Sequence, residues 1–197
     1  MNRPLLVVLG AVAFALMSVI FFWVFKLTMA NSMKTDMVSP EKVAAFIQAL
    51  LEANRNNYTD NVVVKLQKEG IQAHEHWKDE RGVPLPAQYL MESGRLVSMK
   101  DLKFSFRLAS LTPIYVWNGP NSDFERLGLA AVDKNPEKPH YGYITKGGTR
   151  YFQAIFADRA GSQACVDCHN QHPNSPRRDF KLNDVMGGIV ISFPVGE

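Results

Sequence analysis

The chain of 197 residues is 46% hydrophobic and 11% aromatic, enough for one ordinary core, which excludes a disordered chain or a collagen-like repeat. Its 22 basic and 19 acidic residues leave a net charge of +3 without a dense basic block, so a nucleic-acid partner is excluded too. The only two cysteines, Cys165 and Cys168, rule out a disulfide framework.

Leu5 to Phe25 contains no charged residue. About 20 apolar residues cross a hydrocarbon core of roughly 30 Å, so the run is expected to be a transmembrane anchor within residues 1–30, followed by one domain over 31–197. A cleavable signal peptide competes, since Thr28-Met29-Ala30 loosely resembles a cleavage site, but the run is longer than the usual h-region of about 7–15 residues. Arg3 before it and Lys26 and Lys34 after it leave the orientation open on charge alone.

Ser39-Pro40-Glu41 reads as a helix start: a serine cap, a proline in the first turn and an acid near the positive end of the dipole. Val43, Phe46, Ile47, Leu50 and Leu51 follow at helical spacing, and a second helical pattern from Val62 to Lys68 stops at Gly70. Gly82, Pro84 and Pro86 break the next stretch, after which Ala87 to Leu96 forms a short helix presenting Tyr89 or Met91 inward. Phe104–Leu108 and Ile114–Trp117 read as strands, and Asp123–Val132 as a helix. Tyr141–Ile144 and Thr149–Phe156 form a hairpin around Lys146-Gly147-Gly148, and Gly188–Phe193 is the last strand. Helices followed by a mostly antiparallel sheet, interrupted by one helix and by the cysteine-bearing loop, imply an α+β domain.

Cys165-Val166-Asp167-Cys168-His169 matches the C-x-x-C-H pattern for covalent haem, in which two thiols add to the vinyl groups and the adjacent histidine ligates iron. Two intervening residues let both sulfurs reach one porphyrin edge, and the histidine falls under the metal. One covalent haem c is therefore expected, with Cys165 and Cys168 as its attachments and His169 as proximal ligand. Such attachment takes place outside the cytoplasm. Together with the apolar run, it predicts a single-pass inner-membrane protein, amino terminus inside and haem domain in the periplasm. Zinc held by Cys165, Cys168, His169 and His172 is a weaker reading, because four ligands within eight residues are cramped. A thioredoxin-type C-x-x-C opens a helix in a βαβ context, which the flanking residues do not suggest.

From Cys165 through Asn170, then His172-Pro173-Asn174-Ser175-Pro176-Arg177-Arg178-Asp179-Phe180, then Asn183-Asp184-Val185-Met186-Gly187-Gly188, the chain resembles the c-type haem PAS-like domain of cyanobacterial monohaem cytochromes and bacterial sensor proteins. The resemblance covers roughly Val43 to Val195. It implies a five-stranded PAS-like sheet behind the haem, a long helix leading from the membrane, and redox or ligand sensing. Some members of that family use a cysteine thiolate as the second axial ligand, which this chain cannot, since both its cysteines are consumed.

The second axial position is open to Met91, Met99, His74, His76 or His140, of which Met91 is preferred for its place on a short helix before the sheet; core packing is the competing role. Arg177 and Arg178, following the attachment motif, are candidates to pair with haem propionates through bidentate guanidinium contacts. No catalytic residue is expected. The chain ends at Glu197 without an output module. That tilts the reading toward electron transfer with a membrane complex or redox partner, ahead of a haem-based redox or gas sensor signalling to a partner in trans.

Overall fold

A computed structural model describes residues 14–28 and 38–196 of the chain, which divides into two units, the second beginning at Pro40. In the first unit residues 14–28 form a helix, α1, whose apolar side chains, Phe21 and Trp23 among them, are exposed. Residues 5–13 of the expected span lie outside the described residues. Among the described residues no helix is long and apolar enough to cross a membrane, so the expected transmembrane helix and single-pass localisation are not supported.

The second unit opens with α2 (Pro40–Tyr58), continues through a π-turn at Thr59–Val63 into α3 (Val64–Lys68), and adds α4 (Pro86–Ser98). Gly70, at φ +78°, ends α3 in the left-handed region that favours glycine. The sheet strands are β1 (Ser105–Ala109), β2 (His140–Lys146), β3 (Thr149–Arg159) and β4 (Val185–Pro194), with α5 (Asp123–Lys134) before β2 and α6 (Gln163–Gln171) between β3 and β4. They pair in the order β1-β4-β3-β2, antiparallel throughout. The β2–β3 hairpin turns on Gly147 and Gly148, both at positive φ, as a two-residue turn that matches strand twist requires.

The sheet has four strands among the described residues, not five. The expected strand at Ile114–Trp117 is instead a 3-10 turn over Val116–Asn118. Pro113 and Gly119-Pro120 bracket that run too tightly for pairing, and Val116 and Trp117 face outward, Trp117 being 87% exposed.

Alternation along the strands feeds both faces. Phe106, Phe152, Ala154, Phe156, Ile189 and Ile191 pack with Ala44 of α2 and Leu90 of α4, while Ala109, Ile155 and Val190 pack with Leu129 and Val132 of α5. A sheet covered by helices on both sides explains why Phe152–Phe156 is buried without a break, Gln153 included. Strand β1 lies at the sheet edge. Its Phe106 carbonyl is covered by α4 at Gly94, where an added Cβ would come within 2.6 Å of the oxygen, and Arg107 Nη1 donates to the Leu108 carbonyl at 3.3 Å. Both contacts blunt an edge that would otherwise recruit another strand.

Candidate functional site

The excursion that leaves β3 and returns in β4 carries the cysteine motif. Its neck is closed where the Ala160 N–H donates to the Asp184 carbonyl at 2.9 Å and the Asn183 N–H to the Ala160 carbonyl at 3.0 Å. Ser162, in extended backbone, starts α6; its hydroxyl makes no cap to the helix and lies 3.2 Å from the Cys165 sulfur. The segment expected to be a loop is a helix in the structure. That helix sets Cys165, Cys168 and His169 at i, i+3 and i+4, on one face. Both thiols are free, and all three side chains are half-buried.

Burial pushes the Cys168 thiol above its usual range, helped by the charge of Glu75 and by Cys165. Redox-active C-x-x-C pairs run the other way, toward an easily formed thiolate. A strand does precede the helix, but β4 returns antiparallel to β3, so the βαβ setting of a thioredoxin site is absent. Burial, only partly offset by Asp158, holds His169 below the usual imidazole range and therefore neutral, the form in which a ring nitrogen has a lone pair to give. Its Nδ1 is buried without a hydrogen-bond partner among the described residues.

Two charged groups flank this face. Arg55 of α2 meets Asp158 of β3 at 2.6 Å, each side chain 15% exposed. Burial alone would lower the Arg55 pKa, but the charge and hydrogen bond of Asp158 outweigh it, and Cys165 adds to the same field. Next to Cys168, the Tyr115 hydroxyl donates to Glu75 Oε2, which also takes His172 Nε2 at 3.3 Å. Because the Asn174 N–H donates to His172 Nδ1 at 3.1 Å, the neutral ring carries its proton on Nε2 and donates it to Glu75. Both His172 nitrogens are thus engaged. Among the described residues no group of three or more His, Cys, Asp or Glu is arranged to hold a metal ion, which leaves the zinc reading without a ligand set.

The Tyr115 phenol is pushed up to about 12, first by its hydrogen bond to Glu75 and then by burial. A phenol with a raised folded pKa favours the folded state fully below the unfolded value of about 10, and that contribution is lost as pH rises from there toward 12. Burial also raises Tyr58 and Tyr141, so an alkaline titration followed by phenolate absorbance is expected to lose its latest step in Tyr115→Phe; an unchanged last step would break the Tyr115–Glu75 assignment.

The remaining candidates are dispersed. Met91 lines a groove with Gly94, Phe106 and Trp117, and none of the three motif residues lines it. Met99 is 70% exposed, its sulfur 3.3 Å from Arg95 Nη1. His74 Nε2 lies 3.3 Å from the Arg81 carbonyl, His76 faces Glu75 Oε1 at 3.2 Å, and His140 packs on Phe124 of α5 at 4.8 Å between ring centroids. Arg177 donates to Asp179 at 2.8 Å and Asp184 at 3.2 Å, and Arg178 to the Pro173 carbonyl at 2.8 Å. Sequence reasoning singled out neither Arg55 nor Asp158, which are distant along the chain, and assigned no role to Glu75, Tyr115, Asn170 or Phe180. Asn170 and Phe180 stood inside the recognised motif, and that was the available signal.

The Tll0287-like family model matches residues 28–194. Among solved structures, the crystal structure of the cyanobacterial heme-protein Tll0287 aligns at 12% identity and a TM-score of 0.48, covering 81% of this chain and 99% of that one. No curated protein matches.

Proposed function

We propose that this chain, which belongs to the Tll0287-like family, is a c-type haem protein that transfers electrons, with one haem bonded to Cys165 and Cys168 and His169 as its proximal ligand. The observation that carries the proposal is the single face of α6 on which two free thiols stand one helical turn apart, Cys168 held above its usual range by burial, beside a neutral imidazole. That donor set fits the group: thiols to form thioethers, and a ring nitrogen ready to ligate iron. With Nδ1 buried, Nε2 is the nitrogen left to do so. Membership of the Tll0287-like family, whose namesake is a cyanobacterial heme-protein, supports the same cofactor here. When bound, haem supplies one-electron redox chemistry.

The chain's own residues then hold and present it. Cys165 and Cys168 are half-buried rather than enclosed, so they would hold a haem within reach of solvent, where it would supply outer-sphere exchange with a separate redox protein. We assign no catalytic residue. Met91 as distal ligand, and Arg177 or Arg178 as propionate partners, remain part of the proposal from the sequence.

Expressed with a cytochrome c maturation system, the wild type is expected to keep its haem through denaturation and acid–acetone extraction, with a pyridine haemochrome of two-thioether type. Cys165→Ala and Cys168→Ala each leave one thioether, and the double variant none. Haem extracted from the wild type would refute covalent attachment. A ferrous protein that resists carbon monoxide supports the carrier; rapid, tight binding would make the chain a gas sensor instead.

A further inference from the structure

His169 lacks the device that usually fixes a metal-binding imidazole. In most such histidines the non-ligating nitrogen donates to a carbonyl or carboxylate, which sets the rotation of the ring. Here Nδ1 is buried with no partner among the described residues, so another contact has to hold the ring plane.

That contact is with Phe180. Its ring lies perpendicular to the imidazole, at 88° and 5.6 Å between centroids, and the residue is only 3% exposed. Phe180 is in turn tied to the helix that bears the histidine. Asn170, the residue after His169, donates from Nδ2 to the Phe180 carbonyl at 2.9 Å and accepts the Phe180 N–H on Oδ1 at 3.0 Å. Such a two-way amide clamp fixes the backbone of Phe180 against α6. The Arg177 guanidinium lies over the Phe180 ring at 4.1 Å, itself braced by Asp179 and Asp184. Asp184 Oδ2 also takes the Lys181 N–H at 3.0 Å, so the loop closes on itself around the stack.

We propose that Asn170 and Phe180 are positioning residues that set the rotation of the His169 ring, with Arg177 as the brace behind them. The inference rests on the haem reading for its functional meaning, since a ligating nitrogen is aimed by the plane of its ring. It rests on geometry for the orientation itself. It also gives Asn170, Arg177, Asp179, Phe180 and Asp184 of the recognised motif a common purpose.

Two readouts on the same variants test it. In the haem-free chain, the His169 ring protons are expected to carry a ring-current shift from Phe180 that Phe180→Leu abolishes and Asn170→Ala reduces. In the haem-loaded protein, both variants are expected to retain haem in denaturant while the ferric EPR signal broadens and moves, because the imidazole plane is no longer held. Phe180→Leu keeps the site apolar and near its original volume, so it stands in where Asn170→Ala fails to fold. Asn170→Asp, which keeps the acceptor and loses the donor, should fall between Asn170→Ala and wild type. Lowered thermal stability with unmoved His169 resonances and an unmoved EPR signal would overturn the proposal, leaving Phe180 a core residue only. Haem lost from denatured wild type would instead count against the attachment reading, and the NMR result would still decide the orientation of the ring.

Discussion

His169→Gly is expected to leave both thioether bonds in place and to remove the α6 ligand of the iron, turning the ferric spectrum toward high spin. Added imidazole, entering the space the side chain vacates, should restore the original spectrum. A spectrum indifferent to both the substitution and the rescue would remove His169 from the coordination sphere. The haem-free chain offers a second measurement. A histidine whose folded pKa is lowered by burial binds fewer protons folded than unfolded, so stability is highest above the unfolded value of about 6.5 and falls as pH drops through the folded one. That acid limb should flatten in His169→Gly. A limb that stays unchanged would place its origin in other groups.

The second large effect is expected at Arg55. Arg55→Met leaves the Asp158 carboxylate mostly buried without its cation, at a cost of about 3 kcal/mol, the low end for breaking a buried pair because each partner keeps some exposure. For a domain of this size that is a fall of about 10 °C in Tm. The double variant Arg55→Met/Asp158→Leu removes both charges and is expected to recover most of the loss, since a buried pair and an apolar replacement of similar volume are often close in free energy. Thermal melts of the haem-free proteins decide it. A single-variant loss well under 1 kcal/mol would mean that water screens the pair. Because the field of Asp158 reaches His169, Arg55→Met should also make that imidazole easier to protonate.

What could be read from the sequence was what is local. Lys146-Gly147-Gly148 announced the hairpin because its turn demands positive φ, and the spacing of Cys165, Cys168 and His169 marked them as one group, which α6 sets on one face. Ile114–Trp117 misled for the opposite reason: its residues favour strands, but a strand needs a partner edge, and the prolines on either side leave no length to find one. The expected span at Leu5–Phe25 rested on hydropathy alone, and among the described residues no helix is long and apolar enough to cross a membrane. The helical state of Gln163–Gln171 was hidden by weak periodicity in a segment rich in polar residues. The Arg55–Asp158 pair and the Glu75–Tyr115–His172 network could not be read at all. They join separate elements, α2 with β3 and one loop with another, and no spacing rule connects those positions.

The neck at Ala160, Asn183 and Asp184 has a consequence for how such a domain can change over evolutionary time. Strands β3 and β4 are neighbours in the sheet, and the contacts at the neck return the chain to the same point from which it left. Everything between Gly161 and Leu182 is therefore a cassette. Its ends are held together by the sheet whatever it contains, and lengthening a closed loop costs only about 0.6 kcal/mol per doubling. Helix α6, ring stack and clamp can be rewritten together, with Glu75 and Tyr115 as the outside partners that must follow His172, while the four strands keep their register.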